Sequence, residues 1–128
     1  MIDGVGIDII EVARIARAVR NPRFVRRVFT EREAHYCRAA SRGERFAGRF
    51  AAKEAVMKAL GRAFPWREIE VLSLDVGQPY GVLSGRAAAA LGGRRLLLSI
   101  SHCTAYAVAQ AIIFSDGPGS AFLTVAQS

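Results

Sequence analysis

From Ile2 to Ile10 the chain alternates with a period of two. Val5, Ile7 and Ile9 share one face, and Gly4, Gly6 and Asp8 share the other, which predicts a strand. Glycine weakens a strand, so two of them on one face indicate that something approaches the backbone closely there, and they leave Asp8 sterically open. Glu11 to Val19 then reads as a short helix. Asn21-Pro22 restarts the chain as an N-cap followed by proline at the first helical position. Thr30-Glu-Arg-Glu33 has the capping-box pattern and opens a further helix to about Ala40. Gly43 to Leu60 is the longest helical stretch, with Phe46, Phe50, Met57 and Leu60 on one stripe and Gly61 placed to stop it. Lys53 falls inside that stripe. Glu54 and Lys58 lie one turn apart on its flank, and Ala47, Ala51 and Ala55 on or beside that flank keep it low and approachable.

Beyond Pro65 the period returns to two. Glu68 to Asp75 is a strand, Gly77-Gln-Pro79-Tyr a turn, and the run through Leu83 a second short strand. Gly85 to Leu91 is an alanine-rich helix. Leu96 to Ser101 and Tyr106 to Ile113 are two strands joined by a tight turn at Cys103 to Ala105. The run Ser115-Asp-Gly-Pro-Gly-Ser has linker composition, so residues 115–128 are expected to form a disordered tail on one domain of residues 1–114. Strands at both ends of a helical middle predict an α+β fold.

Composition narrows the classes. With 52% hydrophobic and 23% charged residues in 128, the chain can bury a modest core and is not a disordered polypeptide. No apolar run approaches the ~18–20 residues that span a bilayer, and the first residues lack the pattern of a signal peptide. Cys37 and Cys103 have no metal-ligand spacing. A cytoplasmic protein with reduced thiols and no membrane association is expected.

The net charge of +7 is concentrated. Arg14, Arg17, Arg20, Arg23, Arg26 and Arg27 lie between Val12 and Thr30 with no acid among them, which implies a local acidic partner. Sixteen of the eighteen basic side chains are arginine. The two lysines, Lys53 and Lys58, flank Glu54 in one short segment, as expected where a compact ammonium is wanted rather than a planar fork.

Asp8 at a strand end, Glu54 on a helix, Lys53 and Lys58 beside it, and Ser101-His102 at another strand end are the groups with chemistry to offer. Two carboxylates suit a hard divalent cation such as Mg²⁺, which fills its remaining positions with water and phosphate oxygens. Lysines and a histidine nearby suit phosphate. Each also has a plain structural reading. Asp8 can cap the following helix, Glu54-Lys58 can be a surface pair worth ~0.3–0.5 kcal/mol, Lys53 can snorkel, and His102 can be satisfied by backbone.

Four segments taken together decide between these readings. Gly4-Val-Gly6-Ile-Asp8-Ile-Ile-Glu11, Gly48-Arg49-Phe50-Ala-Ala-Lys53-Glu54-Ala-Val-Met-Lys58-Ala-Leu-Gly61, Gly77-x-Pro79 and Ile100-Ser101-His102-x-x-x-Tyr106-Ala107 resemble the holo-acyl-carrier-protein synthases, in order and spacing over about residues 1–113. These are small single-domain 4′-phosphopantetheinyl transferases. The resemblance implies a mostly antiparallel sheet packed with one long and several short helices. It implies transfer of the phosphopantetheine arm of coenzyme A to a serine of an apo acyl carrier protein, with release of adenosine 3′,5′-bisphosphate. It implies Mg²⁺ held by Asp8 and Glu54, with Lys58 completing the catalytic set and Arg49, Lys53, Lys58, Ser101 and His102 around coenzyme A. Either Glu54 or a metal-bound water would be the base. Arg14, Arg17 and Arg20 would dock the acidic carrier, with Arg23, Arg26 and Arg27 as extensions, and a homotrimer would place active sites between subunits. The stretch Arg62-Ala-Phe-Pro-Trp66 is shorter than the glycine-containing loop the family implies there. Two rivals are a carrier-binding member without activity and a small nucleic-acid binder. Intact Asp8, Glu54 and Lys58 weigh against the first, and acids that would repel a phosphate backbone weigh against the second.

Overall fold

The computed structural model describes residues 1–40 and 43–117. The elements run β1 (Ile2–Glu11), α1 (Val12–Ala18), α2 (Pro22–Val28), α3 (Glu31–Arg38), α4 (Glu44–Leu60), a 3₁₀ turn (Trp66–Glu68), β2 (Ile69–Ser73), β3 (Pro79–Leu83), α5 (Gly85–Leu91), β4 (Arg95–His102) and β5 (Tyr106–Phe114). The fold is α+β, as expected. β1, β5 and β4 form an antiparallel sheet in that order, and β2 and β3 form a separate antiparallel hairpin.

The starts of α2 and α3 follow the local code. The Asn21 side chain accepts from Arg23 N–H at 3.0 Å with Pro22 in the first turn. The Thr30 hydroxyl accepts from Glu33 N–H while the Glu33 carboxylate accepts from Thr30 N–H, a complete capping box. Helix α4 stops at Gly61, which takes φ 90° and donates to the carbonyls of Met57 and Lys58.

Helix α4 lies across the inner face of the three-stranded sheet. That face is built from small residues: Gly4 and Gly6 on β1, and Ala107, Ala109 and Ala111 on β5. Ala47, Ala51 and Ala55 of α4 are fully buried. A β-carbon on Gly6 would collide with the Ala55 carbonyl, and one on Gly4 with the Ala59 carbonyl. The close approach indicated by the glycines is therefore that of the α4 backbone. The alanine flank is a correction to the expected open surface: it is the buried side of the helix, because helix and strand can meet this closely only where both are small. The opposite side of α4 carries Phe46 and Phe50 into an aromatic cluster, with Phe46 edge-on to Phe29 at 5.0 Å and Phe50 stacked on Trp66 at 5.0 Å.

The outer face of the sheet is apolar and open. Val5, Ile7 and Ile9 are 54%, 60% and 63% exposed, and Leu97 of β4 adds to the same face through its register with Ile112 of β5. Ser115 pairs with Met1 through both backbone groups, and Asp116 forms an ion pair with Arg95 at 2.7 Å, so the first two tail residues continue the packed domain. Of the expected tail, residues 118–128 lie outside the described residues.

Candidate active site

Asp8 sits near the end of β1, on the inner face, where the small residues of the strand let α4 come close. Lys58, in the last turn of α4, donates to Asp8 Oδ1 at 3.1 Å and to the Ile7 carbonyl at 2.9 Å. Glu54 lies one turn earlier on α4 and is half-buried. Burial raises its carboxyl above the ordinary range, the Asp8 charge raises it further, and Lys58 and Arg14 pull in the opposite direction. Two carboxylates, an ammonium and the first arginine of α1 therefore share one electrostatic neighbourhood. Of this cluster, Glu54 and Lys58 line a cavity of about 510 Å³, with Met57, Gly61, Arg62, Ala63 and Trp66 as its other walls. Asp8 is not an N-cap: Glu11 occupies that position before α1, and its side chain makes no capping bond.

A second cavity, about 280 Å³, is lined by Arg49, His102, Arg45, Tyr36, Ser73 and neighbours. Arg49 is buried. Its Nη2 donates to the Ser73 hydroxyl at 2.5 Å, and its guanidinium lies 4.4 Å from the Tyr36 ring centre, with that of Arg45 at 4.2 Å. The buried Nε of Arg49 has no partner among the described residues, and an anion in this cavity would satisfy it. None of these residues lines the first cavity. Within one chain the structure thus gathers Asp8, Glu54 and Lys58 at one place and Arg49 and His102 at another.

Two residues expected around coenzyme A are placed elsewhere. Lys53 is fully buried, and its ammonium is spent on Glu33 at 2.8 Å and on the carbonyls of Trp66 and Ile69 at 3.1 and 2.5 Å. Burial lowers its pKa below the usual lysine range, with Glu33 opposing. Lys53 is therefore a core residue with no face toward either cavity. Ser101 is paired with Val108, which is in turn paired with Ile9, so it belongs to the outer sheet face and points away from the cavity that His102 lines.

The sequence reading missed Glu33 as the partner of Lys53, because its capping-box role already accounted for it. It also missed Arg45, Tyr36 and Ser73. Arg45 had a signal available, since it lies one helical turn before Arg49. Tyr36 and Ser73 join the cavity only through tertiary packing. Among the described residues no group of three or more His, Cys, Asp or Glu side chains is placed to hold a metal ion, and no helix is long and apolar enough to cross a membrane.

An α+β domain with a long helix across a small antiparallel sheet, carrying carboxylates and a lysine at one end, matches a known family. The model of the 4′-phosphopantetheinyl transferase superfamily matches residues 4–111, and the chain belongs to that superfamily of transferases. More particularly, it is similar to proteins named holo-[acyl-carrier-protein] synthase. That of Koribacter versatilis is 47% identical over 123 residues, covering 88% of this chain and 98% of the relative. That of Moorella thermoacetica is 48% identical over 119 residues, covering 87% and 93%. Among solved structures, a holo-(acyl-carrier-protein) synthase from Bacillus anthracis in complex with CoA (3′,5′-ADP) superposes with a TM-score of 0.75 at 38% identity, covering 88% of this chain and 96% of that one.

Proposed function

We propose that this protein is a holo-acyl-carrier-protein synthase. It moves the 4′-phosphopantetheine arm of coenzyme A to a serine of an apo acyl carrier protein. The observation that carries this is the pair Glu54 and Lys58 in the wall of the 510 Å³ cavity, with Asp8 bonded to Lys58, in a chain similar to synthases of this name. The serine oxygen forms a bond to the β-phosphorus of coenzyme A, the bond from that phosphorus to the bridging oxygen breaks, and adenosine 3′,5′-bisphosphate leaves. The serine proton passes to a carboxylate or a water at the cluster. Such a transfer is mostly positioning and charge neutralisation.

Asp8 and Glu54 are the residues that would hold Mg²⁺. Their fit rests on the donor set, two carboxylates of β1 and α4 brought beside one lysine; burial and then the Asp8 charge raise the Glu54 carboxyl, and a cation would relieve that repulsion. Bound there, Mg²⁺ would neutralise charge on the pyrophosphate. Lys58 adds a point charge for the leaving oxygens. Arg49 and His102, in the second cavity, are suited to a phosphate of coenzyme A. They serve the same substrate if a neighbouring subunit brings its second cavity to the first. The exposed strip of Val5, Ile7, Ile9 and Leu97 supports such an assembly, and the family resemblance supports a homotrimer. Arg14, Arg17 and Arg20 are exposed on or just after α1, where they can meet an acidic carrier in the cytoplasm.

The test is mass spectrometry of an apo carrier protein after incubation with this protein, coenzyme A and Mg²⁺. A gain of one phosphopantetheine on a serine is expected, lost with EDTA and lost in Asp8→Ala and Glu54→Ala. Unmodified carrier in the complete reaction would overturn the reading, and so would full turnover with both carboxylates removed.

A further inference from the structure

The carbonyls that Lys53 engages belong to Trp66 and Ile69, which bracket the 3₁₀ turn Trp66–Glu68. Its third partner is Glu33, so all three ammonium protons are committed inside the core. Between Gly61 and Trp66 the chain has no regular structure, and this stretch supplies Arg62, Ala63 and Trp66 to the wall of the larger cavity. The C-terminus of α4 holds that wall at one end, and at the other the Lys53 clamp acts beside the bonds Glu68 accepts from Ser84 and Ala87. The Trp66 ring stacks on Phe50, one turn before Lys53 on the same helix, so backbone and ring of Trp66 are both referenced to α4.

We propose that Lys53 is a positioning residue for coenzyme A, tying the Arg62–Trp66 wall of the cavity to the helix that carries Glu54 and Lys58. The proposal rests on the assignment of that cavity to coenzyme A. Lys53 touches no substrate and acts through the carbonyls of Trp66 and Ile69. Glu33 makes its own bonds to Thr30 N–H at 2.9 Å and Val71 N–H at 2.7 Å, so the capping box and β2 are secured without the ammonium. What the ammonium adds is a direct tie from α4 to both ends of the Trp66–Ile69 turn, beside the bonds that Glu68 accepts from Ser84 and Ala87. A guanidinium cannot replace it, because a planar fork does not converge on three acceptors around one nitrogen. This accounts for a lysine at position 53 in a chain that uses arginine sixteen times.

Trp66 is the chain's only tryptophan, so its emission reports the wall directly. Wild type, Lys53→Arg, Lys53→Met and the pair Lys53→Met with Glu33→Gln are to be compared. The readouts are circular dichroism, Trp66 emission with acrylamide quenching, titration calorimetry with coenzyme A, and KM for each substrate with kcat. In folded variants, misplacing the wall should raise the coenzyme A dissociation constant by about tenfold or more. Trp66 should become more quenchable, and carrier KM should stay within about twofold of wild type. Lys53→Arg, which retains the charge opposite Glu33, should show the same defect. A folded variant with wild-type coenzyme A affinity and wild-type Trp66 quenching would overturn the proposal. Loss of fold in all three variants would overturn it too, since the role would then be purely structural. Failure of wild type to bind coenzyme A would instead overturn the assignment of the cavity, and Trp66 quenching would still decide the clamp.

Discussion

Lys58 reaches two acceptors at once, the Asp8 carboxylate and the Ile7 carbonyl, with a side chain 54% exposed. An arginine keeps the charge but spreads it over a fork too wide for this corner. Lys58→Arg should therefore lower kcat by at least about tenfold, the scale expected on losing one well-placed donor to a developing anion. The check is kcat at saturating coenzyme A and carrier, and equality with wild type would remove Lys58 from the catalytic set. The two thiols differ at the same scale. Burial pushes Cys37 up to about 12, while Cys103 is exposed. Thiolate is the reactive form, and burial both disfavours it at Cys37 and keeps the reagent away. Iodoacetamide at pH 8 should label Cys103 alone in the native protein and both cysteines in urea, as read by peptide mass. Labelling of native Cys37 would show that α3 opens on the reaction timescale.

The decisive contact between elements is β1 against α4. Gly6→Ala puts a methyl into the α4 backbone at Ala55, where no flexible side chain can yield. The expected cost is about 3 kcal/mol, at the upper end for overpacking, with a matching fall in the urea midpoint. Because Asp8 and Glu54 are presented by these same two elements, activity should fall further than stability. On α1, Val12 and Ile15 are buried while Arg14 and Arg17 face outward. Charge reversal there should weaken carrier binding, since facing like charges cost several kcal/mol across an interface. Arg14 also moderates the Glu54 carboxyl, so it is not a clean probe. Arg17→Glu with Arg20→Glu is cleaner. Carrier KM should rise by about tenfold or more, coenzyme A KM should stay within about twofold, and the wild-type carrier KM should climb with salt. Loss of coenzyme A affinity instead would move these arginines to the nucleotide site.

For the whole molecule, the open apolar strip and the divided site lead to one expectation. Ile7 is 60% exposed on the outer sheet face, so Ile7→Lys should fold as well as wild type within a single chain. In an assembly that buries this face it places a charge in an apolar contact. On the proposed assembly, sedimentation should show a smaller species for Ile7→Lys than for wild type, together with loss of transfer activity. An Ile7→Lys protein of unchanged mass and activity would exclude that face as the interface.

Some of this was legible in the chain as written. The strand of β1, the proline and asparagine that restart the chain at α2, the capping box of α3 and the glycine stop of α4 are local codes, read from neighbours a few residues apart. Glu54 and Lys58 could be paired because helical spacing alone sets them side by side. Only tertiary structure decided which side of each element is inside. The period of β1 separates its two faces but cannot say that the glycine face is the buried one. That follows from the small residues of α4 arriving opposite it. The period of α4 places Lys53 in an apolar stripe, where it can snorkel outward or be buried. Glu33 on α3 settles this by supplying the charge that makes a buried ammonium tolerable. Likewise Arg49 and His102 carry the right chemistry, but packing puts them in a cavity apart from Asp8. Spacing along a chain encodes direction within an element, while burial and the meeting of distant side chains depend on which elements come together.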